Sequence, residues 1–289
     1  MAAGLVWMDG AFMAPEEARV PLLDRGYLLG DSVFATARAY GGRIFRLPAH
    51  VAGLEAAAAG LGMALDPAGE ALGACVGETL ARSGLGEAAI RLTLSRGVGP
   101  GGLATAACTA PRLSIWVRPF ADSRLAAGEA GIISATVATR RIPPECLDPA
   151  WKTGAYLPNI LARRELEGRD MVEGVMLNLA GAPVSGTVSN LFLVHEGRLL
   201  TPSVESGCRP GIVRAAVLDL AGQSGLQTQA CALDQGLLAA ASEVFFTNSL
   251  MEILPVAQLD GRALAGRHGP VTSALMEAFS ALVTAETGV

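Results

Sequence analysis

The amino-acid sequence predicts an α+β protein built from two domains. Three observations indicate this: turn signals typical of β-hairpins occur near both ends of the chain, alanine-rich helical segments follow the first hairpins, and 289 residues exceed one average domain. We predict a small N-terminal α+β domain over residues 1–118, a linker over 119–126 and a larger C-terminal α/β domain over 127–289. One large domain is the alternative.

The first half of the sequence predicts an antiparallel sheet with two helices. The stretch LVWMDGAFM has an Asp-Gly turn between apolar runs, and ARAYGGRIFRL repeats the device with Gly41 and Gly42. Residues 48–62 have a proline at the start, alanines throughout and glycines at the end, which indicates a helix; a second helix is expected over 68–84. AAIRLTLSRG and PRLSIWVRPF then alternate apolar and polar residues, as strands do.

A break near Pro119 separates this region from the second half. The segment PFADSRLA interrupts two periodic regions with a proline and short polar residues, which favours a linker. GIISATVAT then predicts a strand, YLPNILARRELEG predicts a helix that begins just after Lys152, and EGVMLNLAGAPVSGTVSNLFLVHEGRLLTP predicts strands joined by turns. RPGIVRAAVLDLAGQSG predicts a helix that stops at Gly225, and EVFFTNSLMEILPVAQLDGRAL predicts a strand, a polar turn and a hairpin.

Composition narrows the class of protein. The hydrophobic fraction is 51%, yet no run of about 18 apolar residues occurs and the N-terminus lacks a basic leader, so we expect a soluble, cytoplasmic protein without membrane association. The low charge content suggests apolar surface between subunits and therefore a homo-oligomer. A net charge of -5 without a basic cluster argues against a nucleic-acid partner. Five scattered cysteines and three distant histidines predict no metal site.

Lys152 is the only lysine of the chain, beside 21 arginines. Lysine is normally a common residue, and arginine serves equally well where only a solvated positive charge is needed. Forming an imine with a carbonyl compound, in contrast, requires a primary amine. Lys152 is therefore a candidate for covalent chemistry. The alternative is a lone lysine that survived a bias towards glycine, alanine and arginine.

Two segments of the second half are candidate anion-binding sites. CRPGIVR, residues 208–214, places a Pro-Gly turn directly before a helix, so that the N–H groups of Ile212 and Val213 are first-turn donors suited to a phosphate. TNSL, residues 247–250, places short polar side chains at the end of an apolar strand. Each segment has an ordinary alternative, because a Pro-Gly pair before a helix is often no more than a turn.

With these parts in this order, the sequence resembles the fold-type IV pyridoxal-phosphate enzymes. That group contains branched-chain aminotransferases, D-amino-acid aminotransferases and 4-amino-4-deoxychorismate lyases. The resemblance covers nearly the whole chain and is carried by DRGYLLGDSVF (24–34), FRLPAHVAGL (45–54), TLSRGVGPGG (93–102), WKTGAYLPNILARRE (151–165), GTVSNLFLV (186–194), PGIVR (210–214) and TNSLMEILPV (247–256).

The resemblance implies a D-amino-acid aminotransferase-like architecture, with pyridoxal 5'-phosphate held between the two domains of each subunit of a homodimer. The substrate would be a small molecule with an amino group. Lys152 would form the Schiff base with the cofactor and carry the proton at the substrate carbon. Tyr156 would reach the phenolic oxygen of the pyridoxal ring, although an aromatic residue at this spacing is as often part of a core.

The same resemblance assigns the phosphate contacts. Ile212 and Val213 would supply backbone donors, and Asn248 and Ser249 would add side-chain or backbone bonds. Val213 stands where relatives usually have threonine. Relatives also have an arginine at the position of Gly53 that clamps the phosphate.

Arg46 and His50 are the basic side chains near Gly53 that would compensate for the missing arginine. Of these, Arg46 is our candidate for a cofactor contact, although it alternates with the apolar face of a strand and would then point to solvent.

Two further departures concern the reaction. Ser185 stands where relatives have an acidic residue that pairs with the pyridine nitrogen. A hydroxyl in its place would weaken this interaction by roughly 1.5–3 kcal/mol, the scale of a charge-assisted hydrogen bond. Ala35, followed by Thr36, stands where aminotransferases commonly have glutamate, and this pair is more like the lyases.

These departures lead to three hypotheses. The first is a pyridoxal-phosphate-dependent lyase of the 4-amino-4-deoxychorismate type, which releases pyruvate and 4-aminobenzoate for folate synthesis, because formation of an aromatic product reduces the demand on the cofactor. The second is a D-amino-acid or branched-chain aminotransferase. The third is a family member that binds pyridoxal phosphate weakly or not at all and works without it.

Overall fold

Contacts between residues divide the chain into two units. The computed structural model describes residues 4–120 and 130–289. The first unit comprises residues 4–120 together with 150–155 and 283–289, and the second comprises 130–149 and 156–282.

The first unit is an antiparallel sheet with helices. Its strands are β1 (Leu5–Met8), β2 (Ala11–Met13), β3 (Ser32–Tyr40), β4 (Arg43–Ile44), β5 (Ala88–Ser95) and β6 (Arg112–Pro119), and its helices are α1 (Arg25–Leu29), α2 (Leu47–Gly60) and α3 (Gly69–Ser83). The strand order is β2-β1-β6-β5-β3-β4. Buried side chains of the sheet, such as Val33, Ile90 and Ile115, share one core with Leu54 of α2 and Leu72 of α3.

Both predicted hairpins of this unit are confirmed. Asp9 and Gly10 connect β1 to β2 with φ values of 48° and 94°, and Gly41 and Gly42 connect β3 to β4 with 53° and 82°. Two consecutive residues with positive φ are typical of the tight turn that matches the twist of antiparallel strands, and Asp-Gly and Gly-Gly suit it.

The second unit is a mixed sheet with helices. Its strands are β7 (Ile132–Arg140), β8 (Glu173–Leu177), β9 (Pro183–Gly186), β10 (Asn190–His195), β11 (Arg198–Pro202), β12 (Thr228–Cys231), β13 (Glu243–Asn248), β14 (Glu252–Leu259) and β15 (Arg262–Ala263). Its helices are α4 (Leu157–Arg164), α5 (Ile212–Gln223) and α6 (Gln235–Ala240), followed by α7 (Pro270–Thr287), whose last residues from Val283 on are grouped with the first unit.

Parallel pairing is confined to the middle and one edge of this sheet. In the described part of the chain the order is β12-β11-β10-β13-β14-β7-β8-β9, with β15 on β14. Strand β7 runs parallel to both β8 and β14, and β11 runs parallel to β12, while the other pairs are antiparallel. The sheet and its helices confirm the predicted α+β class.

The observed boundaries differ from the expected domains in two places. Residues 150–155 and 283–289 belong to the first unit by their contacts, although the sequence placed them in the C-terminal domain. For 150–155 the reason is pairing with β3, including a bridge between Thr153 and Val33. The expected linker over 119–126 begins at Pro119, the last residue of β6, and its part from 121 onward lies outside the described residues.

Three elements of the second half were not predicted. Strand β12 and helix α6 are short and weakly patterned, and the 18-residue helix α7 has alanines and apolar residues on most sides. Among the described residues, no helix is both long enough and apolar enough to cross a lipid bilayer.

Candidate functional site

Lys152 lies in a segment that is bonded along its backbone to the start of β3. Its carbonyl accepts a hydrogen bond from the Phe34 N–H at 2.7 Å, and the Gly154 N–H donates to the Ser32 carbonyl at 2.8 Å. A Cβ added to Gly154 would lie 2.5 Å from the Ser32 Oγ and 2.9 Å from the Gly30 carbonyl oxygen, so only glycine fits. The lysine backbone is therefore fixed on both sides.

The Phe34 ring contacts two cationic side chains. The Lys152 Nζ lies 4.8 Å from the ring centroid, and the guanidinium carbon of Arg91 lies 3.2 Å from it. The Arg91 Nε also donates to the Thr93 Oγ1 at 3.1 Å. A positive charge near an aromatic face is favourable, so Phe34 helps to place both groups. Arg91 was not singled out by the sequence, where it is one polar residue of an alternating strand.

Ser185 is buried in β9, opposite Met176 of β8. It is 3% exposed, and its Oγ donates a hydrogen bond of 2.8 Å to the carbonyl of Gly186. The predicted ring-nitrogen partner is thus a buried hydroxyl in a fixed orientation.

A buried carboxylate holds the turn that follows Ser185. The side chain of Glu173 accepts hydrogen bonds from the Thr187 N–H at 2.6 Å, the Val188 N–H at 3.3 Å and the Ser189 Oγ at 2.8 Å, and also from the Thr187 hydroxyl and the Gly174 N–H. Glu173 is fully buried. Glu173 was not predicted from the sequence, where the available signal was an acidic residue at the start of an otherwise apolar strand.

Asn190 shapes the start of α5. Its Nδ2 donates to the Arg209 carbonyl at 2.7 Å, and a Cβ on Gly211 would lie 2.1 Å from its Oδ1. Gly211 is the N-cap residue of α5 and provides no side-chain cap. The N–H groups of Ile212 and Val213, in the first turn, therefore lack an intrahelical acceptor, as an anion site requires. Asn190 was also missed by the sequence analysis.

The TNSL segment is a turn held by its own asparagine. The Asn248 Oδ1 accepts hydrogen bonds from the N–H groups of Leu250 and Met251 at 2.9 and 2.7 Å, and its Nδ2 donates to the Val188 carbonyl at 3.3 Å. These bonds use the Asn248 side chain within its own turn, which favours the backbone of the two expected kinds of phosphate contact. Ser249 follows in the same turn and is half-buried.

These segments of the second unit lie together because their strands are neighbours. Asn190 of β10 pairs with Thr247 of β13, which is the first residue of the TNSL segment. We call residues 208–213 and 247–250 the anion cradle. Ile212, Val213, Asn248 and Ser249 are thus carried by the ends of β10 and β13 and by one helix start, and β9, which carries Ser185, contacts β10. Lys152, Arg46 and Gly53 belong to the first unit.

Tyr156 is the residue directly before α4, so the stretch from Lys152 to Tyr156 is not the helical turn assumed from the sequence. It lies within electrostatic range of Arg209. Burial lowers the pKa of the Arg209 guanidinium; the neighbouring Tyr156 acts in the opposite direction, and the positive charge of Arg141 adds to the lowering. Tyr156 therefore lies near the guanidinium of Arg209.

Arg46 has an acidic partner in the first unit. Its Nε lies 3.2 Å from the Glu286 Oε1, and its guanidinium lies 5.3 Å from the centroid of the Phe45 ring. Any role for Arg46 on the cofactor phosphate competes with this ion pair. Gly53 is exposed on α2, and a Cβ added there would meet no atom within 4 Å.

Comparison with known proteins identifies the relatives of this fold. The chain matches the family described as amino-transferase class IV over residues 32–259. It is 35% identical over 280 residues to a Methanocaldococcus jannaschii protein assigned as a branched-chain-amino-acid aminotransferase, covering 96% of both chains.

Solved structures of similar chains include enzymes of two different activities. The branched-chain aminotransferase of Thermoproteus uzoniensis, crystallised with norvaline, has a TM-score of 0.91 at 30% identity, with 98% of this chain and 96% of that chain covered. The 4-amino-4-deoxychorismate lyase of Pseudomonas aeruginosa has a TM-score of 0.82 at 29% identity, with 98% and 99% covered.

Proposed function

Because this chain belongs to the class IV aminotransferase family, the fold-type IV pyridoxal-phosphate enzymes, we propose that it is an aminotransferase acting on a small amino acid. The observation that carries this choice is the similarity to a branched-chain aminotransferase, with a TM-score of 0.91 against 0.82 for the lyase. Family membership and the enzyme class confirm the resemblance found in the sequence. The specific activity, the homodimer and the site residues stay predictions.

The residues present suit pyridoxal phosphate. The N-terminus of α5 has first-turn N–H donors without a side-chain cap. The Asn190 side chain lies so close to Gly211 that a Cβ at this position would collide with it. Ile212, Val213 and the TNSL turn would hold the phosphate through their backbone N–H groups. When bound, the cofactor supplies an electrophilic aldehyde and an electron-withdrawing ring.

Lys152 would supply the amine for covalent attachment and move the proton at the α-carbon of the substrate. Its position supports this role, since backbone bonds to β3 and the glycine at 154 fix the segment, and the Nζ lies 4.8 Å from the centroid of the Phe34 ring. Tyr156, beside Arg209, would orient the ring hydroxyl.

A lyase of the 4-amino-4-deoxychorismate type is the second candidate, and two observations favour it. Position 185 has a hydroxyl instead of an acid, and Ala35 with Thr36 replaces the glutamate of aminotransferases in β3. A reaction driven by aromatisation depends less on the cofactor ring. The third candidate, weak or absent cofactor binding, is supported by the missing arginine at Gly53.

The test starts from the single lysine. The absorption spectrum of wild-type protein mixed with pyridoxal phosphate is recorded first. The protein is then reduced with borohydride and digested for peptide mapping. Lys152→Ala and Lys152→Arg are treated in the same way. We expect a visible absorption band and one labelled peptide containing Lys152 in the wild type, and neither in the two variants. Absence of both in the wild type supports the third candidate and overturns the proposal.

Two assays on the loaded protein then separate the activities. Conversion of the bound cofactor to pyridoxamine phosphate by branched-chain or D-amino acids supports the aminotransferase. Release of pyruvate from 4-amino-4-deoxychorismate, without pyridoxamine formation, supports the lyase and overturns our first choice.

A further inference from the structure

The hydroxyl group of Ser185 already donates its proton to a hydrogen bond within the protein. The Oγ donates to the Gly186 carbonyl at 2.8 Å, and the side chain is 3% exposed. A serine hydroxyl has one proton and two lone pairs, so a hydroxyl that already donates can only accept from a further partner. Placed against a pyridine nitrogen, this hydroxyl is an acceptor and pairs with the protonated form of that nitrogen.

The side chain of Glu173, on the neighbouring strand β8, packs against β9 beside Ser185. A Cβ on Gly186 would be 2.9 Å from the Glu173 carboxyl carbon, so the carboxylate packs directly against the residue that follows Ser185. Every partner of Glu173 is a neutral N–H or O–H donor, and within residues 4–120 and 130–289 no basic side chain pairs with it. Both carboxyl oxygens of Glu173 therefore act as hydrogen-bond acceptors.

A buried carboxylate without a basic partner acts on its surroundings over several ångströms, because the low dielectric of the interior screens it little. It stabilises a nearby cation and disfavours the neutral form of a nearby base. Glu173 also fixes the backbone of the turn through Thr187 and Val188, and so maintains the strand geometry that aims the Ser185 hydroxyl at the Gly186 carbonyl.

We propose that Ser185 accepts a hydrogen bond from the protonated pyridine nitrogen of the cofactor, and that Glu173 is the positioning residue that supplies the negative charge missing at position 185. This inference rests on the proposed function, since it needs pyridoxal phosphate next to Ser185. It adds to the expectation drawn from the sequence, in which a hydroxyl at position 185 weakens the interaction with the ring nitrogen. The charge is then supplied from the neighbouring strand β8 instead of from position 185.

The experiment measures the ring nitrogen directly. Pyridoxal phosphate labelled with nitrogen-15 in the ring is bound to wild type, Ser185→Ala and Ser185→Asp, and the chemical shift is recorded at neutral pH. We expect wild type and Ser185→Asp to share the shift of a protonated pyridine, and Ser185→Ala to move towards the neutral form with about a tenfold loss of cofactor affinity. A wild-type shift equal to that of a neutral pyridine overturns the proposal.

The part assigned to Glu173 is tested with a matched pair. Glu173→Gln removes the charge at the turn, and Glu243→Gln removes a similar charge elsewhere, where the buried Glu243 accepts from the N–H groups of Val271 and Thr272. We expect only Glu173→Gln to move the ring nitrogen towards the neutral form. Equal shifts in both variants, or none in either, overturn the role of Glu173.

The outcomes also separate this inference from the proposed function. A wild type that never binds the labelled cofactor overturns both, whereas binding through Lys152 with a neutral ring nitrogen overturns only the inference. The comparison of wild type with the two Ser185 variants decides the acceptor role by itself, even where Glu173→Gln does not fold.

Discussion

The lysine segment and the anion cradle are built by different kinds of bonds. Lys152 and Gly154 are held to β3 by backbone–backbone hydrogen bonds. The cradle and its neighbouring turn are held by side chains that bond to backbone groups: Asn190, Asn248 and Glu173. Backbone bonds survive most substitutions, whereas each cradle bond is lost with one side chain. We therefore expect the cradle to be the more fragile region.

The largest expected effect is the loss of Glu173. Glu173→Ala leaves the N–H groups of the buried residues Thr187 and Gly174 without acceptors, and each unsatisfied donor costs about 1–3 kcal/mol. We expect the free energy of unfolding to fall by about 4 kcal/mol, measured by urea denaturation. The half-buried Glu165, which accepts from Ala138 and Thr139, is the control: Glu165→Ala should cost clearly less. Equal losses would contradict this ranking.

The second prediction tests the cradle itself. Asn190→Ala removes the bond to the Arg209 carbonyl and the atom against which Gly211 is seated, so the first-turn donors of α5 lose their fixed position. We expect at least a tenfold weaker affinity for pyridoxal phosphate by absorption titration, and about 2 kcal/mol less stability.

Asn178 provides the matched control for this prediction. Its side chain also bonds to the backbone, to the Ser206 carbonyl and the Ala182 N–H, but at a different turn. Asn178→Ala should lower stability without changing the cofactor affinity. If both variants weaken binding alike, the cradle is not specifically held by Asn190.

Some features of the fold and of the candidate site could be predicted from the sequence, and others could not. The hairpin at Asp9-Gly10 was predictable because two adjacent residues determine the turn, and Lys152 stood out because it is unique. Glu173 and Asn190 act on residues 14 to 19 positions away, through strand pairing that no local pattern reveals. Asn248 was recognised as part of the site, but its side chain is used by its own turn. The position of Asn248 at the site was therefore predictable, but the hydrogen-bond partners of its side chain were not.

The third prediction concerns the support of the lysine segment. Asp31 lies beside the residues that bond to Lys152 and Gly154, and receives hydrogen bonds from Arg96 at 2.7 Å and Arg25 at 2.9 Å. Burial by itself would raise the pKa of Asp31, but the hydrogen bonds and positive charges of the two arginines outweigh it and lower the pKa. The carboxylate therefore stabilises the fold above the ordinary carboxyl pKa, and this contribution is lost as the pH falls through the lowered folded value.

Asp31→Asn should cost about 2 kcal/mol at neutral pH, on the scale of hydrogen bonds to charged groups. The difference from wild type should shrink as the pH falls below the ordinary carboxyl pKa, because the carboxyl of the unfolded chain is protonated first and, below the lowered folded value, the native carboxyl is protonated as well. Thermal unfolding measured from pH 7 down to acid checks this. A constant difference across that range would show that the charge of Asp31 does not matter.

The smallest effect is a gain in the first unit, at the open position on α2. Gly53→Arg restores the cation that relatives place there, and the absence of any atom within 4 Å of an added Cβ means that the side chain enters without displacing a neighbour. Replacing a helical glycine should add about 1 kcal/mol of stability, and a charge-assisted phosphate contact should tighten cofactor binding about tenfold. Gly77→Arg is the control, since Gly77 is an equally open and exposed glycine in α3. Gly77→Arg should gain the same stability without binding pyridoxal phosphate more tightly. Equal cofactor affinities in the two variants would mean that Gly53 does not face the phosphate.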